Sequence, residues 1–393
     1  MKIRNIRNCA LLLTVLFCPA GAANMLRGPY VENMSVSAAT VRFRTDTATA
    51  AWLSYGAYPD CERFMTLSPE VKEHKLTLFG LFADTTHCYR IYLPDEVSTG
   101  VYKAAESVFK TFREADRPYF NFLAFGDSGS GSEEQLEIAA RMEAFDPDFV
   151  IHTGDVVETG LDSDADDKYF IPYKKMLAKY PFFIALGNHE YGKQYQKDYE
   201  KKFLKENYIP FHTVPYTGMP PYFYFFDDAN ARFFVLDTNY FYGVPWAPSL
   251  EKNSKQYKWL ERYLAKTDKA WKFVVVHEPL YSTGAHGDVT AERDVLAPLF
   301  EKYKVDLVLQ GHDHNYERTR PIKDGLANEN EGLIYVTLAG GGSPLYFQRN
   351  NEEWSEKFLP VYHFARIEVK DLHLLMTVYD REGKVIDTLE LQK

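Results

Sequence analysis

Five short stretches carry side chains of the kinds that bind metal ions: FGDSG (125–129), TGDVVE (153–158), LGNHE (186–190), VVHEP (275–279) and GHDHNYER (311–318). Asp127, Asp155, Asn188, His277, His312 and His314 together offer two carboxylates, one amide and three imidazoles. That mixture suits Zn, Mn or Fe, and the absence of cysteine argues against a structural zinc. A carboxylate has two oxygens, so one of them can bridge two ions roughly 3.5–4 Å apart, an arrangement suited to in-line displacement at phosphorus.

Each stretch follows an apolar run that reads as a strand. YFNFLAF (119–125), DFVIHT (148–153), FFIAL (182–186), KFVVV (272–276) and VDLVLQ (305–310) precede them in turn. RFFVLDT (232–238) and LIYVTLA (333–339) are further strands. Between them lie the helical patterns 133–145, 167–180, 191–206, 254–267 and 291–303. Continuous apolar strands separated by amphipathic helices predict a sheet covered on both faces. The end of the chain, FARIEVKDLHLLMTVYDREGKVIDTLEL, alternates like antiparallel strands. The expected fold is an α/β sandwich of two mixed β-sheets flanked by helices. Ligands then gather at the carboxyl ends of the strands.

Residues 26–112 have a different rhythm. SAATVRFRT (37–45), TAAWLSYG (49–56), EHKLTLFG (73–80), HCYRIYLP (87–94) and VFKTF (108–112) alternate without a helical period. They predict a small β-sandwich, with Tyr89 as a packed corner. READRP (113–118) suits a linker. The expected division is a leader over 1–23, a β-sandwich domain over 24–113 and a catalytic domain over 118–393.

The leader reads as a secretory signal peptide. Lys2, Arg4 and Arg7 precede the apolar run CALLLTVLF, and A-G-A follows at 20–22. The apolar run is far short of the ~20 residues that span a bilayer. Phe17 before Cys18 is too large for a lipoprotein site, so lipoprotein anchoring is the weaker alternative. An exported protein, periplasmic or extracellular, is expected. Loss of Lys2, Arg4 and Arg7 takes the net charge from -10 to -13, which speaks against binding a nucleic-acid duplex. No membrane span is expected in the mature chain, and the oligomeric state is left open. Cys61 and Cys88 remain, and export permits but does not require their pairing.

The ordered motifs GD, GDxx(x), GNHE, VxxH and GHxHxYER resemble the calcineurin-like metallophosphoesterases. They are most similar to the purple acid phosphatase branch, whose fibronectin-like sandwich the opening LRGPYVENMSVSAATVRFRT also resembles. The resemblance implies two metal ions; with no tyrosine at position 158 to favour a ferric one, a divalent pair drawn from Zn, Mn or Fe is expected. Asp127 and His314 would serve one, Asn188, His277 and His312 the other, and Asp155 both. It implies a metal-bridging hydroxide as nucleophile on a phosphoester substrate. His189 would donate to the phosphate or act as acid, and His286 would meet phosphate or the leaving group. Asn188 also lies beside the substrate. Glu190, Glu278 and Asp313 would orient ligands, while Tyr316 and Arg318 would lock the GHDH loop.

The chain departs from the pattern twice. Gly129 stands where many of these enzymes have a histidine, and Glu158 stands where the purple branch has its metal-binding tyrosine. Glu158 can bind metal, hydrogen-bond to a water ligand, or turn away. None of these gives a purple protein. SGSGSEE after Asp127 either presents N–H groups to an anion or caps the helix. NYFYGVPW (239–246) offers Tyr242 and Trp246 to a leaving group, or plugs the gap between loops. A phosphomonoesterase is the leading expectation. A phosphodiesterase or nucleotide-directed hydrolase is the alternative, and a surface binding module with a retained metal site is the rival of another class.

Overall fold

The computed structural model describes residues 23–95, 100–159, 162–191 and 222–393. Almost all of the expected signal peptide, the helix expected over 191–206 beyond its first residue, and residues 208–221 lie outside the described residues. Among the described residues, no helix is long and apolar enough to cross a membrane.

Five strands open the chain: β1 (Met25–Glu32), β2 (Ala38–Ala57), β3 (Phe64–Phe79), β4 (Thr86–Asp95) and β5 (Gly100–Lys110). They form one hydrogen-bonded sheet in the order β1-β2-β4-β5, with β3 also on β2. The two strands expected over 37–45 and 49–56 are thus one strand of 20 residues. A register shift after Arg44 bends it. Its first half pairs with β1 and its second half with β4, so one strand serves both ends of the unit. Cys61 and Cys88 form a disulfide that ties the turn after β2 to β4.

The second unit holds two mixed sheets, as its alternation of strands and helices predicts. Its strands are β6 (Tyr119–Phe125), β7 (Phe149–His152), β8 (Phe182–Ile184), β9 (Tyr224–Asp228), β10 (Ala231–Val235), β11 (Trp271–Val275), β12 (Leu307–Gln310) and β13 (Tyr316–Thr319). A small hairpin, β14 (Ile322–Lys323) and β15 (Leu326–Ala327), precedes β16 (Ile334–Leu338), β17 (Ser355–Leu359), β18 (His363–Lys370), β19 (His373–Asp380) and β20 (Val385–Gln392). One sheet runs β20-β19-β18-β6-β7-β8 and the other β17-β13-β16-β12-β11-β10-β9. Phenylalanines fill the space between them. Phe122 of one sheet packs edge-on to Phe233 of the other at 5.3 Å, and Phe233 stacks on Phe273 at 4.6 Å. Each such fully buried ring contributes about 1.5–3 kcal/mol.

Two expectations need correction. The helix predicted over 167–180 is a π turn, Asp166–Phe170, followed by a short helix, Lys174–Leu177. Pro172 lies between them and has no N–H to carry the helix on. The linker READRP does not begin as a free tether. Arg113 is buried, donates its backbone N–H to Asp228, and pairs through its guanidinium with Asp84, Asp148 and Asp228. Tyr89 also reaches out of the first sheet: its hydroxyl donates to Ala178 O at 2.9 Å, across the unit boundary.

Candidate metal centre

The parallel strands β6, β7 and β8 of one sheet and β11 and β12 of the other end at a common edge. The five loops that carry the candidate ligands leave from those ends. Their backbones are unusual. Asp127, Asp155 and His312 have φ of 56°, 56° and 67°, a left-handed region that non-glycine residues enter at a cost of about 1–2 kcal/mol. Gly154 has φ of 110°, and a Cβ there would lie 2.3 Å from the His277 ring, so only glycine fits.

Four donors converge. His277 Nε2 lies 3.2 Å from Asp155 Oδ2, 3.2 Å from Asn188 Oδ1 and 3.3 Å from His312 Nδ1. Ligand atoms of Asp155, His277 and His312 all fall within 4.8 Å of one another. His277 Nδ1 is 2.8 Å from the carbonyl of Thr153, which can only accept, so in the neutral ring Nε2 presents a lone pair. Lone pairs from an imidazole, a carboxylate and an amide therefore face each other. One shared proton relieves one such pair, whereas a cation accepts all of them. The residues thus fit a metal ion.

Asp127 and His314 stand beside this group. His314 Nε2 is 3.5 Å from Asp127 Oδ1, and its Nδ1 donates to Pro344 O at 2.7 Å. Asp127 is fully buried and also accepts the backbone N–H of His312 at 3.1 Å. Burial pushes its carboxyl above the usual range. Burial also pushes Asp155 up, but the neighbouring histidines, His277 foremost, outweigh it and hold Asp155 low.

Carboxylates behind the donors fix the loops. Glu190 accepts the N–H groups of Asp155, Val156 and Gly187 at 2.9, 2.8 and 2.6 Å, and burial pushes its carboxyl up to about 7. Asp313 accepts from Ser282 Oγ and from the backbones of His286 and Gly287. Glu278 accepts from Thr238 Oγ1. Tyr316 and Arg318 both bind Asp387 of β20, which pins the strand after the GHDH loop to the other sheet.

Glu158 turns away from the donors. Its carboxylate faces Lys168 Nζ at 3.5 Å and its side chain is 47% exposed. Gly129 has no room for a side chain, since a Cβ would sit 2.4 Å from Val157 N. The loop after β7 occupies that space. Ser132 caps the helix Glu133–Met142 by accepting from Gln135 N, so the capping alternative holds for SGSGSEE.

Partly exposed rings rim the buried donors. His286 packs 4.4 Å from His312 by ring centroids, and Tyr242 packs edge-on to His312 at 4.5 Å. Asn188 and His189 are half-buried on the same rim. The Asp155 carboxylate raises the His189 ring above its usual pKa. Trp246 is exposed four residues beyond Tyr242. Sequence reasoning missed Tyr346, which stacks flat on His314 at 4.2 Å. It also missed His152, whose ring meets Ser128 Oγ at 2.9 Å and which burial pushes down to about 3. Neither lies in a motif. His152 ends an apolar strand and looked like part of it.

A model of the calcineurin-like phosphoesterase family matches residues 120–316, about half the chain. The chain belongs to the calcineurin-like phosphoesterase family. Among relatives of this phosphoesterase, purple acid phosphatase 7 of Arabidopsis thaliana is 27% identical over 296 residues, 70% of this chain and 86% of that one. A probable inactive purple acid phosphatase 27 from the same plant is 29% identical over 271 residues, 62% of this chain. The chain spans 43% of that relative's length. A purple acid phosphatase from yellow lupin (Lupinus luteus) seeds shares the fold, with TM-score 0.75 at 19% identity over 94% of this chain and 74% of that one. The structure of PhoD gives TM-score 0.68 at 13% identity, covering 94% and 92%.

Proposed function

We propose that this phosphoesterase hydrolyses phosphoric monoesters with two divalent ions, Zn, Mn or Fe. Asp127 and His314 would hold one ion, Asn188, His277 and His312 the other, and Asp155 both. The observation that carries the reading is the set of four lone-pair donors meeting around His277 Nε2. Bound there, the ions would supply charge neutralisation at phosphorus and an activated water.

The chain's own residues do the rest. Glu190 and Asp313 hold the loops so that the donors stay aimed. His189, raised by Asp155, is a hydrogen-bond donor for a phosphoryl oxygen at the cleft. His286, on the rim beside His312, is placed to give a proton to the leaving oxygen as its bond to phosphorus breaks. Similarity to purple acid phosphatase 7 is what tilts the reading towards a monoester over a diester. Tyr242, with Trp246 beyond it, would contact the leaving group. Glu158 is not among the proposed ligands, and without a tyrosine there the protein is colourless with respect to iron–tyrosinate absorption. We also propose export to the periplasm or outside the cell, supported by the Cys61–Cys88 disulfide, which persists in oxidising compartments.

The test is turnover of p-nitrophenyl phosphate and of its bis-ester by protein loaded with Mn, Zn or Fe. The monoester is expected to be the faster substrate and chelation to abolish its turnover. Faster bis-ester cleavage would overturn the monoester assignment, and no turnover of either would overturn the hydrolase.

A further inference from the structure

The loop after β7 uses Glu158 through its backbone. His189 Nδ1 lies 2.6 Å from Glu158 O. A carbonyl oxygen only accepts, so Nδ1 carries a hydrogen, and Nε2 is the nitrogen 3.9 Å from Asp155 Oδ2. The tautomer and tilt of His189 therefore depend on where the Glu158 carbonyl stands.

That carbonyl is held from behind. Asp164 Oδ2 accepts from Glu158 N at 2.9 Å, Thr159 N at 2.6 Å and Thr159 Oγ1 at 2.9 Å. Its other oxygen faces Lys168 Nζ at 3.1 Å, and the same ammonium faces Glu158 Oε2 at 3.5 Å. Asp164 is buried and Lys168 is 21% exposed, so this is not a loose surface pair. Lys168 also packs over Gly131 of the Asp127 loop, and its carbonyl accepts from Gln135.

Lys168 belongs to the π turn Asp166–Phe170, a geometry that recurs at functional sites. The N-terminal sheet grips that turn. Arg27 of β1 bonds Asp166 and lays its guanidinium over Phe170 at 4.2 Å. Tyr30 packs 5.1 Å from Phe170. A continuous set of contacts thus runs from β1 through the π turn to Asp164, the Glu158 carbonyl and the His189 ring.

We propose that Asp164 and Lys168 are positioning residues for His189, and that the N-terminal sheet sets their place through Arg27. Only the kinetic arm of the test rests on the hydrolase reading. In protein labelled with ¹⁵N-histidine, the His189 ring is identified by its loss in His189→Gln. Long-range ¹H–¹⁵N spectra, taken at a pH alkaline enough for the ring to be neutral, are expected to show its one hydrogen on Nδ1 in the wild type. Asp164→Ala is expected to abolish that preference. It should also lower kcat on p-nitrophenyl phosphate by about 10–100-fold through misplacement alone. KM and metal content should stay near wild type. Lys168→Met and Arg27→Met are expected to shift the ring in the same direction, and Lys168→Arg to restore it. If the alanine variant does not fold, Asp164→Asn, whose amide oxygen can still accept these bonds but which loses the charge facing Lys168, is expected to shift the ring in the same direction by less. An unchanged His189 tautomer in the Asp164 and Lys168 variants would overturn the proposal. An unchanged ring in Arg27→Met would overturn the part given to the sheet. A wild type without turnover would sink the hydrolase reading and leave the ring measurement to decide this one.

Discussion

The two halves of the donor cluster are built to different standards. Around His277, two of the donors are fixed from behind: Thr153 O holds the His277 ring, and Glu190 holds the Asp155 loop. Around Asp127 and His314 the approach is longer, at 3.5 Å. Glu158 is tied to Lys168, and the place of another ligand is filled by backbone at Gly129. One half gathers four donors around one nitrogen. The other offers two, themselves held by Pro344 O and the His312 N–H. From this difference we expect the proposed pair of ions to bind in order, the ion at His277 first.

The comparison can be broken at its shared member. Asp155→Asn removes the carboxylate proposed to serve both halves, and kcat/KM is expected to fall by about 10³-fold, the upper end for a lost electrostatic group. A loss below about tenfold would mean that the halves do not share it. Metal titration sharpens the asymmetry. In the wild type the second ion is expected to bind at least about tenfold more weakly than the first, a gap of the size outer partners confer. His314→Ala should remove only the weak ion, and His277→Ala the strong one; the reverse assignment would refute the order.

Stability gives a smaller test. Glu292 is fully buried near Glu278, Asp237 and His277, and among the described residues neither of its oxygens has a hydrogen-bond partner. Burial pushes its carboxyl well above the ordinary value of 4.5. A raised acid favours the folded state below the unfolded pKa and costs stability as pH rises above it. Glu292→Met is therefore expected to stabilise by about 1–3 kcal/mol, with the gain in melting temperature larger at alkaline than at acid pH. A gain that shrinks with rising pH would contradict the reading. The smallest effect belongs to Glu158→Ala, which should leave both ions bound in elemental analysis after dialysis, since the carboxylate faces Lys168. Loss of one ion would return Glu158 to the ligand set.

What was legible in the sequence was the chemistry. Aspartate, asparagine and histidine after apolar strands announce themselves, because few other roles want those side chains at those places. The mixed sheets followed from the same strands. The geometry between loops was not legible. Tyr346 meets His314 only because the chain returns after β16, and no local pattern reports such a return. The use of Glu158 through its carbonyl was hidden because every residue has one. The break in the helix over 167–180 was visible at Pro172, but the buried Tyr169, Phe170 and Tyr173 kept the apolar rhythm running across it.

Arg113 bears on where this chain can be cut. It sits at the start of a stretch that looks like a tether, yet its buried guanidinium balances Asp148 before β7 and Asp228 at the end of β9. Burial already pushes Asp228 up to about 7. A shortened protein begun at residue 118 would retain both acids and lose the base between them. The boundary drawn by sequence rhythm is therefore a seam of shared charge, and the catalytic unit is not separable there without replacing that charge.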